Sequence, residues 1–160
     1  MEPAVTIAEE RPDQPEVVAL LASLDRYLGG LYAPEANHIL SVDELLAPEI
    51  TFFVAREQGE AVGTAACRRM AGEPATGGQP YGEVKRMYVD PSRRGRRLGA
   101  RLLDAVEDRL RRDGYRLALL ETGRDQTEAV KRYTAAGYSL RGPFGGYPDN
   151  GLSLFMGKAL

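Results

Sequence analysis

The order of the predicted elements indicates an α+β fold, in the wider sense that includes mixed α/β arrangements. Strand-like segments follow one another in the first half of the chain, as in antiparallel hairpins, whereas strands and helices alternate in the second half. The 160 residues are 43% hydrophobic and 28% charged, which fits one globular domain over residues 1–160.

A strand and a long helix are predicted at the start of the chain. Residues alternate in character over Ala4–Ala8, which favours a strand. Asp13 and Glu16 then have the spacing of a capping box, ahead of apolar residues that recur at helical intervals. Gly29 and Gly30 are expected to end this helix, because glycine is a poor helix former.

A short helix and three strands follow. Ser41 and Glu44 repeat the capping-box spacing before a helix that is expected to end near Pro48. Apolar segments separated by turns and a Gly/Pro-containing loop predict the three strands, at Ile50–Ala55, Ala61–Met70 and Tyr81–Val89.

Helices and strands alternate after Asp90-Pro91, which breaks the preceding strand. The next predicted helix carries its leucines and a valine on one face from Leu98 onward. It is expected to end at Asp113-Gly114. A short strand with an apolar centre is predicted next, at Tyr115–Glu121.

The last helix is predicted over Gln126–Ala136. Asp125 and Glu128 supply another capping pair at its start. Gly137 stands just past its end, where many helices place a left-handed glycine. Two strands separated by a Gly/Pro loop complete the chain, at Tyr138–Arg141 and Leu152–Gly157.

The composition excludes several classes of protein. Cys67 is the single cysteine and His38 the single histidine, which excludes an internal disulfide framework and argues against any metal site of the zinc type. No apolar segment is long enough to span a membrane. The first ten residues lack the cationic and apolar regions of a signal peptide, so we expect a cytoplasmic protein without a membrane partner.

The net charge of −2 conceals an uneven distribution along the chain. Residues 1–60 hold 12 acidic and 3 basic side chains (net −9), and residues 61–160 hold 11 acidic and 18 basic ones (net +7). Seven of the bases lie between Lys85 and Arg101, which indicates an anionic partner or, alternatively, only a solvated face. A nucleic-acid partner is disfavoured by the sequence pI of about 5.6 and the scarcity of aromatic residues in the basic segment.

The segment from Asp90 to Leu103 has the character of an anion-binding loop. It combines a turn broken by proline, a basic loop and the start of an amphipathic helix, whose first N–H groups are unpaired and carry partial positive charge. Gly95 and Gly99 allow the backbone to approach a phosphate closely. The Gly-Lys-Ser/Thr ending of a nucleotide-hydrolysing loop is missing, and so is the Gly-x-Gly-x-x-Gly pattern of dinucleotide-binding proteins.

This loop resembles the acetyl-CoA-binding motif of the GCN5-related N-acetyltransferases, Arg/Gln-x-x-Gly-x-Gly/Ala. It is present here as Arg94-Gly-Arg-Arg97-Leu-Gly99, with Arg97 in place of the first motif glycine. Three further segments follow in the order and spacing of that family: Leu119–Gly123, Gln126–Ala129 and Tyr133–Tyr138. The resemblance covers roughly Glu83 to Tyr138 and implies a central, mixed, mostly antiparallel sheet of about seven strands flanked by about four helices.

The resemblance also implies where acetyl-CoA, a co-substrate, would bind. The backbone of Met87 and Val89 would pair with the pantetheine amides as an added strand does. The loop from Arg94 to Ala100 would hold the pyrophosphate, and Gln126 would line the distal groove. The full set of predicted coenzyme-binding residues is Met87, Tyr88, Val89, Arg94, Gly95, Arg96, Arg97, Leu98, Gly99, Ala100 and Gln126.

Two residues are expected to serve the chemistry of acetyl transfer to an amine. By resemblance, Glu83 is the general base, directly or through water; the alternative is a surface carboxylate paired with Lys85. Tyr133 would hydrogen-bond the coenzyme sulfur and protonate the leaving thiolate; the alternative is a core tyrosine. Cys67 lies in an apolar segment and is expected to be a buried small residue.

A narrower resemblance, to small bacterial YsnE-like acetyltransferases, involves residues 31–38 and 143–158. It indicates an acceptor site formed by Tyr32, Asn37, His38 and Tyr147, where His38 is a base, a substrate ligand or a structural residue. The predicted function is direct acetyl transfer from acetyl-CoA to a primary amine in a ternary complex. A sensor that only binds acetyl-CoA is the alternative, and a homodimer is implied by the resemblance.

Overall fold

A seven-stranded sheet occupies the centre of the molecule, with strands in the order β1-β2-β3-β4-β5-β7-β6. The computed structural model describes residues 4–31, 39–93, 95 and 97–160. Its strands are β1 (Val5–Glu9), β2 (Ile50–Glu57), β3 (Glu60–Met70), β4 (Tyr81–Val89), β5 (Leu117–Gly123), β6 (Ser139–Arg141) and β7 (Ser153–Ala159). The helices in this part of the chain are α1 (Pro15–Leu31), α2 (Val42–Leu45), α3 (Leu98–Arg112) and α4 (Thr127–Ala135), with single 3₁₀ turns at Pro74–Thr76 and Pro91–Arg93.

The predicted fold class is confirmed. All strand pairs are antiparallel except β4 with β5, and the elements follow one another along the chain as the sequence indicates. The four helices cover both faces of the sheet. Helix α3 packs in one apolar cluster and α1 with α2 in another, which explains why most of β3 is buried on both of its sides.

Two of the predicted helix boundaries are wrong. Helix α1 continues through Gly29 and Gly30 to Leu31, because the apolar face that precedes the glycines is anchored on the sheet and outweighs their poor propensity, about 1 kcal/mol each. Its N-terminus is capped differently as well. The Asp13 carboxylate binds Arg11 at 2.8 Å, and the helix instead begins with Pro15 at its first position.

Of the other capping predictions, those for the start of α2 and the end of α4 are confirmed, and that for the start of α4 is wrong. Ser41 and Glu44 form the predicted capping box of α2, with Glu44 N–H donating to Ser41 Oγ at 3.2 Å and Ser41 N–H to Glu44 Oε1 at 3.0 Å. Helix α4, by contrast, has Gln126 rather than Asp125 at its N-cap. Gly137 adopts the expected left-handed conformation after α4, with φ of +100°.

The parallel pair β4–β5 is short, and this is the feature that creates the site. The two strands pair only at Gly82 with Ala118 and at Glu83 with Leu119. Beyond these residues β4 continues to Val89 and β5 to Gly123, but the strands diverge. The β5-facing backbone edge of β4 is therefore open over its second half.

The uneven charge along the chain is partly balanced by ion pairs within the fold. Basic residues of the second half pair with acidic residues of the first: Arg86 with Asp25, Arg93 with Glu57 and Glu60, and Arg109 with Glu9. Arg86 and Arg93 are therefore engaged within the fold and are not available to the anionic partner that the basic segment indicates. None of the helices among the described residues is both long and apolar enough to cross a membrane.

Candidate active site

A cleft opens where β4 and β5 separate. One wall is the second half of β4, and the other is the end of β5 with the first turn of α4. Helix α1 and the residue before β7 form its mouth. The lining residues used below are Lys85, Arg86, Met87, Tyr88, Val89, Glu121, Gln126, Arg132, Tyr133, Leu24, Tyr27, Leu28, Ile39 and Leu152.

A β-bulge shapes the β4 wall. Thr64 pairs with Tyr88 and Ala66 with Lys85, so β4 has one more residue than β3 across this step. Arg86 lies in the bulge with φ of +54°, a left-handed backbone that side chains other than glycine seldom adopt. The Thr64 hydroxyl of β3 donates to the Arg86 carbonyl at 2.8 Å, on the side of β4 that faces away from the cleft.

This hydrogen bond fixes the direction of one backbone donor. In a trans peptide the carbonyl and the following N–H point in opposite directions. Since the Arg86 carbonyl faces β3, the Met87 N–H is directed away from β3, toward the side where β4 has no paired strand. A backbone N–H is thus aimed across the opening between β4 and β5.

A second pocket adjoins the cleft at the N-terminus of α3. It is lined by the backbone turn and the first residues of that helix, together with Glu128 and Arg132 of α4. Unpaired N–H groups at a helix start favour an anion in this position. The predicted coenzyme-binding residues that it contains are Val89, Gly95, Arg97, Leu98, Gly99 and Ala100.

Arg97 shows why the family motif has a glycine at this position. Its backbone is left-handed, with φ of 59° and ψ of 24°, and its carbonyl accepts the first hydrogen bond of α3, from Arg101 N–H at 3.0 Å. The replacement of glycine therefore leaves the loop conformation intact but at a cost of about 1–2 kcal/mol. At Gly99, an added Cβ would come within 2.7 Å of Arg132 Nε, so the Arg132 side chain would have to move to admit a larger residue.

The structure separates the arginines of the basic segment. Arg93 is bound by Glu57 and Glu60, and Arg101 Nη2 lies 3.4 Å from the carbonyl of Val5. Arg94 and Arg96 lie outside the described residues. Arg132, which the sequence analysis did not select, contributes to both the cleft and the second pocket. Its position in the last turn of α4, four residues after Glu128, gave no signal beyond a solvated helix.

Tyr133 lines the cleft from α4. Its ring is 7% exposed and packs edge-on against Tyr138, with 5.8 Å between the ring centroids. Burial raises the pKa of Tyr133 to about 12, so the phenol holds its proton at neutral pH. The described part of the chain offers its hydroxyl no hydrogen-bond partner, and the group is chemically suited to donate to a ligand.

Glu83 lies at the inner end of the cleft but is not part of its wall. It is 3% exposed, and its Oε2 accepts a hydrogen bond of 2.5 Å from the hydroxyl of Tyr147. Lys85 does line the cleft; its Nζ donates to the Tyr147 hydroxyl at 2.7 Å and lies 3.6 Å from Glu83 Oε2. The alternative of a surface carboxylate is wrong, although the expected pairing with Lys85 is present.

Tyr147 is the one predicted acceptor-site residue within the described chain. Its ring packs against Phe144 and Phe155, and burial together with the adjacent Glu83 carboxylate raises its pKa above the usual value. Tyr147 therefore connects Glu83 with Lys85 rather than lining the cleft. Tyr32, Asn37 and His38 lie outside the described residues.

Apolar side chains that the sequence analysis did not select form the mouth of the cleft. Leu24, Tyr27 and Leu28 come from α1, and Ile39 and Leu152 from the segments beside it. Tyr27 is 49% exposed and Leu152 41% exposed. The helical spacing of the α1 residues indicates only a buried face, so the sequence gives no means of separating lining residues from core residues.

Cys67 contributes no chemistry to the cleft. Cys67 is fully buried in β3, and burial raises the pKa of its thiol to about 11. Among the described residues, histidine, cysteine and carboxylate side chains form no group of three or more that could hold a metal ion.

Comparison with known proteins decides the family. The model of the Acetyltransferase (GNAT) family matches residues 17–138, which include the bulged strand, the loop before α3 and the whole of α4. The chain belongs to this family. The family predicted from the sequence is thereby confirmed, and with it the class of enzyme, an acetyltransferase of the GNAT family.

Two curated relatives of this GNAT protein are similar over most of its length. The "IAA acetyltransferase" of Azospirillum brasilense is 48% identical over 158 residues, which cover 99% of each chain. The N-acetyltransferase YsnE of Bacillus subtilis (strain 168) is 30% identical over 129 residues, 79% of this chain and 81% of YsnE. The narrower resemblance to YsnE-like proteins is thus confirmed.

Solved structures of other proteins have a similar fold. A Klebsiella pneumoniae protein assigned to the acyl-CoA N-acyltransferases is 35% identical, with a TM-score of 0.79 over 98% of this chain and 97% of that one. The PaiA N-acetyltransferase of Thermoplasma acidophilum, in complex with coenzyme A, is 17% identical with a TM-score of 0.76. It covers 98% of this chain and 99% of the PaiA chain, and its likeness concerns the fold alone.

Proposed function

We propose that this GNAT protein transfers the acetyl group of acetyl-CoA directly to a primary amine within a ternary complex. The observation that carries the proposal is the open backbone edge of β4, which faces Tyr133 across a cleft and continues into the pocket at the start of α3. The coenzyme A complex of the structurally similar PaiA protein supports acetyl-CoA as the donor.

The coenzyme would lie along β4. An extended chain of amides can pair with an open strand edge, so the pantetheine arm would bind the backbone at Met87 and Val89. The pyrophosphate would meet the N–H groups at residues 97–100, and Arg132 offers a positive charge beside them. The arm would then point its thioester toward the inner end of the cleft.

The bulge would stabilise the transition state. Attack of an amine on the thioester places negative charge on the carbonyl oxygen, and a preorganised N–H donor lowers the energy of that charge. Met87 N–H is the donor directed into the opening. Its position on β4 puts it beside the arm that carries the thioester.

The two proton transfers would use two different residues. Tyr133 would protonate the departing thiolate, since its pKa of about 12 keeps the phenol neutral. Glu83 would accept the proton of the amine through an intervening group, because its buried carboxylate does not form part of the wall. A water molecule would serve as that relay, because the Tyr147 hydroxyl bonded to Glu83 is not part of the wall either.

The acceptor would enter between α1 and Leu152. The apolar side chains there would contact its body, and its amine would reach the thioester beyond them. The name of the Azospirillum brasilense relative adds IAA to the compounds that should be tried. The cytoplasmic location and the homodimer stay predictions of the sequence.

The experiment is an assay of thiol release from acetyl-CoA across a panel of amino acids, polyamines, aminoglycosides, peptides and IAA. We expect release with at least one amine, and mass spectrometry should find that amine heavier by one acetyl group. Binding of acetyl-CoA without release on the whole panel would favour the sensor instead. Failure of acetyl-CoA to bind at all would refute the proposal.

A further inference from the structure

The β4 bulge holds an arginine in a conformation that the residue does not favour. Arg86 has φ of +54°, although its side chain has a Cβ that crowds the backbone there. Such a conformation persists only where neighbouring groups hold it. The groups that hold Arg86 therefore determine where the following N–H, that of Met87, points.

One of these groups acts on the backbone. Thr64 of β3 is fully buried, and its hydroxyl donates to the Arg86 carbonyl at 2.8 Å. The carbonyl is turned toward Thr64 and the Met87 N–H away from it, since both belong to one planar peptide. Removal of the hydroxyl would leave a carbonyl in a buried setting without this donor and would favour rotation of the peptide.

The other group acts on the side chain. The Arg86 guanidinium is 4% exposed and binds Asp25 of α1, with 2.5 Å between Nη1 and Oδ1. Its Nη2 is 3.5 Å from the Leu21 carbonyl, and its buried Nε has no hydrogen-bond partner among the described residues. The pair with Asp25 is thus the main polar contact of a buried charge, and it ties the bulge to the helix that forms the mouth of the cleft.

We propose that Thr64 and Arg86 are positioning residues, which lock the bulge peptide so that Met87 N–H meets the thioester carbonyl. The inference rests on the proposed function, because it needs acetyl-CoA in the cleft. Asp25 assists by holding the Arg86 side chain against α1. Neither Thr64 nor Asp25 touches the coenzyme in this account, so both act through the backbone of β4.

The test observes the thioester carbonyl directly. Acetyl-CoA labelled with ¹³C at the carbonyl is added to the full chain, and its ¹³C resonance is recorded in the free and bound states. A hydrogen bond to the carbonyl oxygen moves this resonance downfield. We expect a downfield shift with the natural chain, loss of most of it in Thr64→Val, and its retention in Thr64→Ser, which keeps the hydroxyl.

Two more variants complete the comparison. Asp25→Asn is expected to lose part of the shift. Thr51→Val is the matched control, since Thr51 is another buried threonine whose hydroxyl accepts a hydrogen bond, from Arg69 at 2.8 Å, away from the cleft. With an acceptor in hand, kcat should fall about 10-fold to 100-fold in Thr64→Val, while the Kd of coenzyme A stays within a factor of about two.

The outcomes separate this inference from the proposed function. If acetyl-CoA binds and shows the downfield shift, but Thr64→Val keeps it, the positioning role is wrong and the proposed function stands. An equal loss of the shift in Thr51→Val would reduce the effect to general destabilisation and would also overturn the inference. If acetyl-CoA does not bind the natural chain, both the inference and the proposed function fall.

Discussion

At the scale of single residues, Arg97 is where this chain departs most informatively from the motif of its family. The left-handed backbone at Arg97 precedes the first turn of α3, which is the turn that faces the second pocket. A glycine would adopt the same conformation without the clash of a Cβ. The loop therefore has the geometry that a glycine would give it, with backbone strain at Arg97.

Arg97→Gly is expected to stabilise the protein by about 1 kcal/mol, because relief of the left-handed strain exceeds the entropy that glycine adds to the unfolded chain. Thermal unfolding should show the Tm rise by a few degrees. Asp104→Gly, at an exposed interior position of the same helix, should lower the stability by about 1 kcal/mol. A lower Tm in Arg97→Gly would show that the arginine side chain contributes more than its backbone costs.

Tyr133→Phe is expected to lower kcat about 100-fold and to leave the Kd of coenzyme A nearly unchanged, because it removes a proton donor but keeps the ring. Since the pKa of Tyr133 is about 12, the phenol is protonated on both sides of neutrality, and kcat should not fall through this group as the pH rises to about 10. Unchanged turnover in Tyr133→Phe would exclude the tyrosine from the chemistry.

At the scale of elements, α3 is joined to the last strand by a buried carboxylate. Glu107 is 2% exposed on the apolar face of α3; its Oε1 accepts from Lys158 Nζ at 2.7 Å and its Oε2 from the Tyr138 hydroxyl at 2.9 Å. The ion pair between Glu107 and Lys158 spans 51 residues and fixes β7 beside α3, the helix that presents the second pocket.

Lys158→Met should destabilise the fold by about 2 kcal/mol or more, since it leaves the buried Glu107 charge without its closest cation. Urea unfolding measures the loss. Glu107→Gln in the same background should recover part of it, because the buried charge is then gone while the bond to Tyr138 can remain. A loss no larger than that of a surface substitution would mean that Glu107 is satisfied by its other contacts.

The elements themselves were largely predictable, because their signals are local. The capping box at Ser41 and Glu44 and the left-handed Gly137 are fixed by neighbours in sequence. The continuation of α1 through Gly29 and Gly30 was not predictable, because it depends on how the earlier turns of the helix pack on the sheet. In the site, Tyr133 and the loop before α3 were selected through the resemblance to the family.

What the sequence could not provide is contacts between distant residues. The hydrogen bond between Tyr147 and Glu83 spans 64 residues, and that between Thr64 and Arg86 spans 22. Neither leaves a periodic signal, because each depends on the sheet register and on one loop conformation. The burial of Glu83 and the direction of the Met87 N–H therefore emerge only with the structure.

At the scale of the whole molecule, ion pairs join elements that are distant from one another in the sequence. Arg56 of β2 shows this most clearly, since its guanidinium lies 2.8 Å from Glu10 and 3.0 Å from Glu16. The hydrogen bond from Arg56 lowers the pKa of Glu10 below its usual value near 4.5. The partly exposed cluster ties the start of α1 to the edge of the sheet.

This cluster predicts part of the acid sensitivity. A carboxyl group whose pKa is lower in the folded state stabilises the fold above its unfolded pKa, and this contribution is lost as the pH falls through the folded pKa. Arg56→Met should therefore cost about 1 kcal/mol at pH 7 and less at pH 3. Urea unfolding at both pH values checks it, and an equal cost at both would show that the guanidinium acts through packing.

The central claim concerns the opening between β4 and β5, and amide hydrogen exchange with and without coenzyme A measures it directly. Exchange slows at amides that gain a hydrogen-bonded partner. We predict that coenzyme A slows exchange at Val89 and at residues 97–100, that acetyl-CoA slows it at Met87 as well, and that the paired β1–β2 amides stay unchanged. Binding of coenzyme A with protection elsewhere, and none along the second half of β4, would contradict the account.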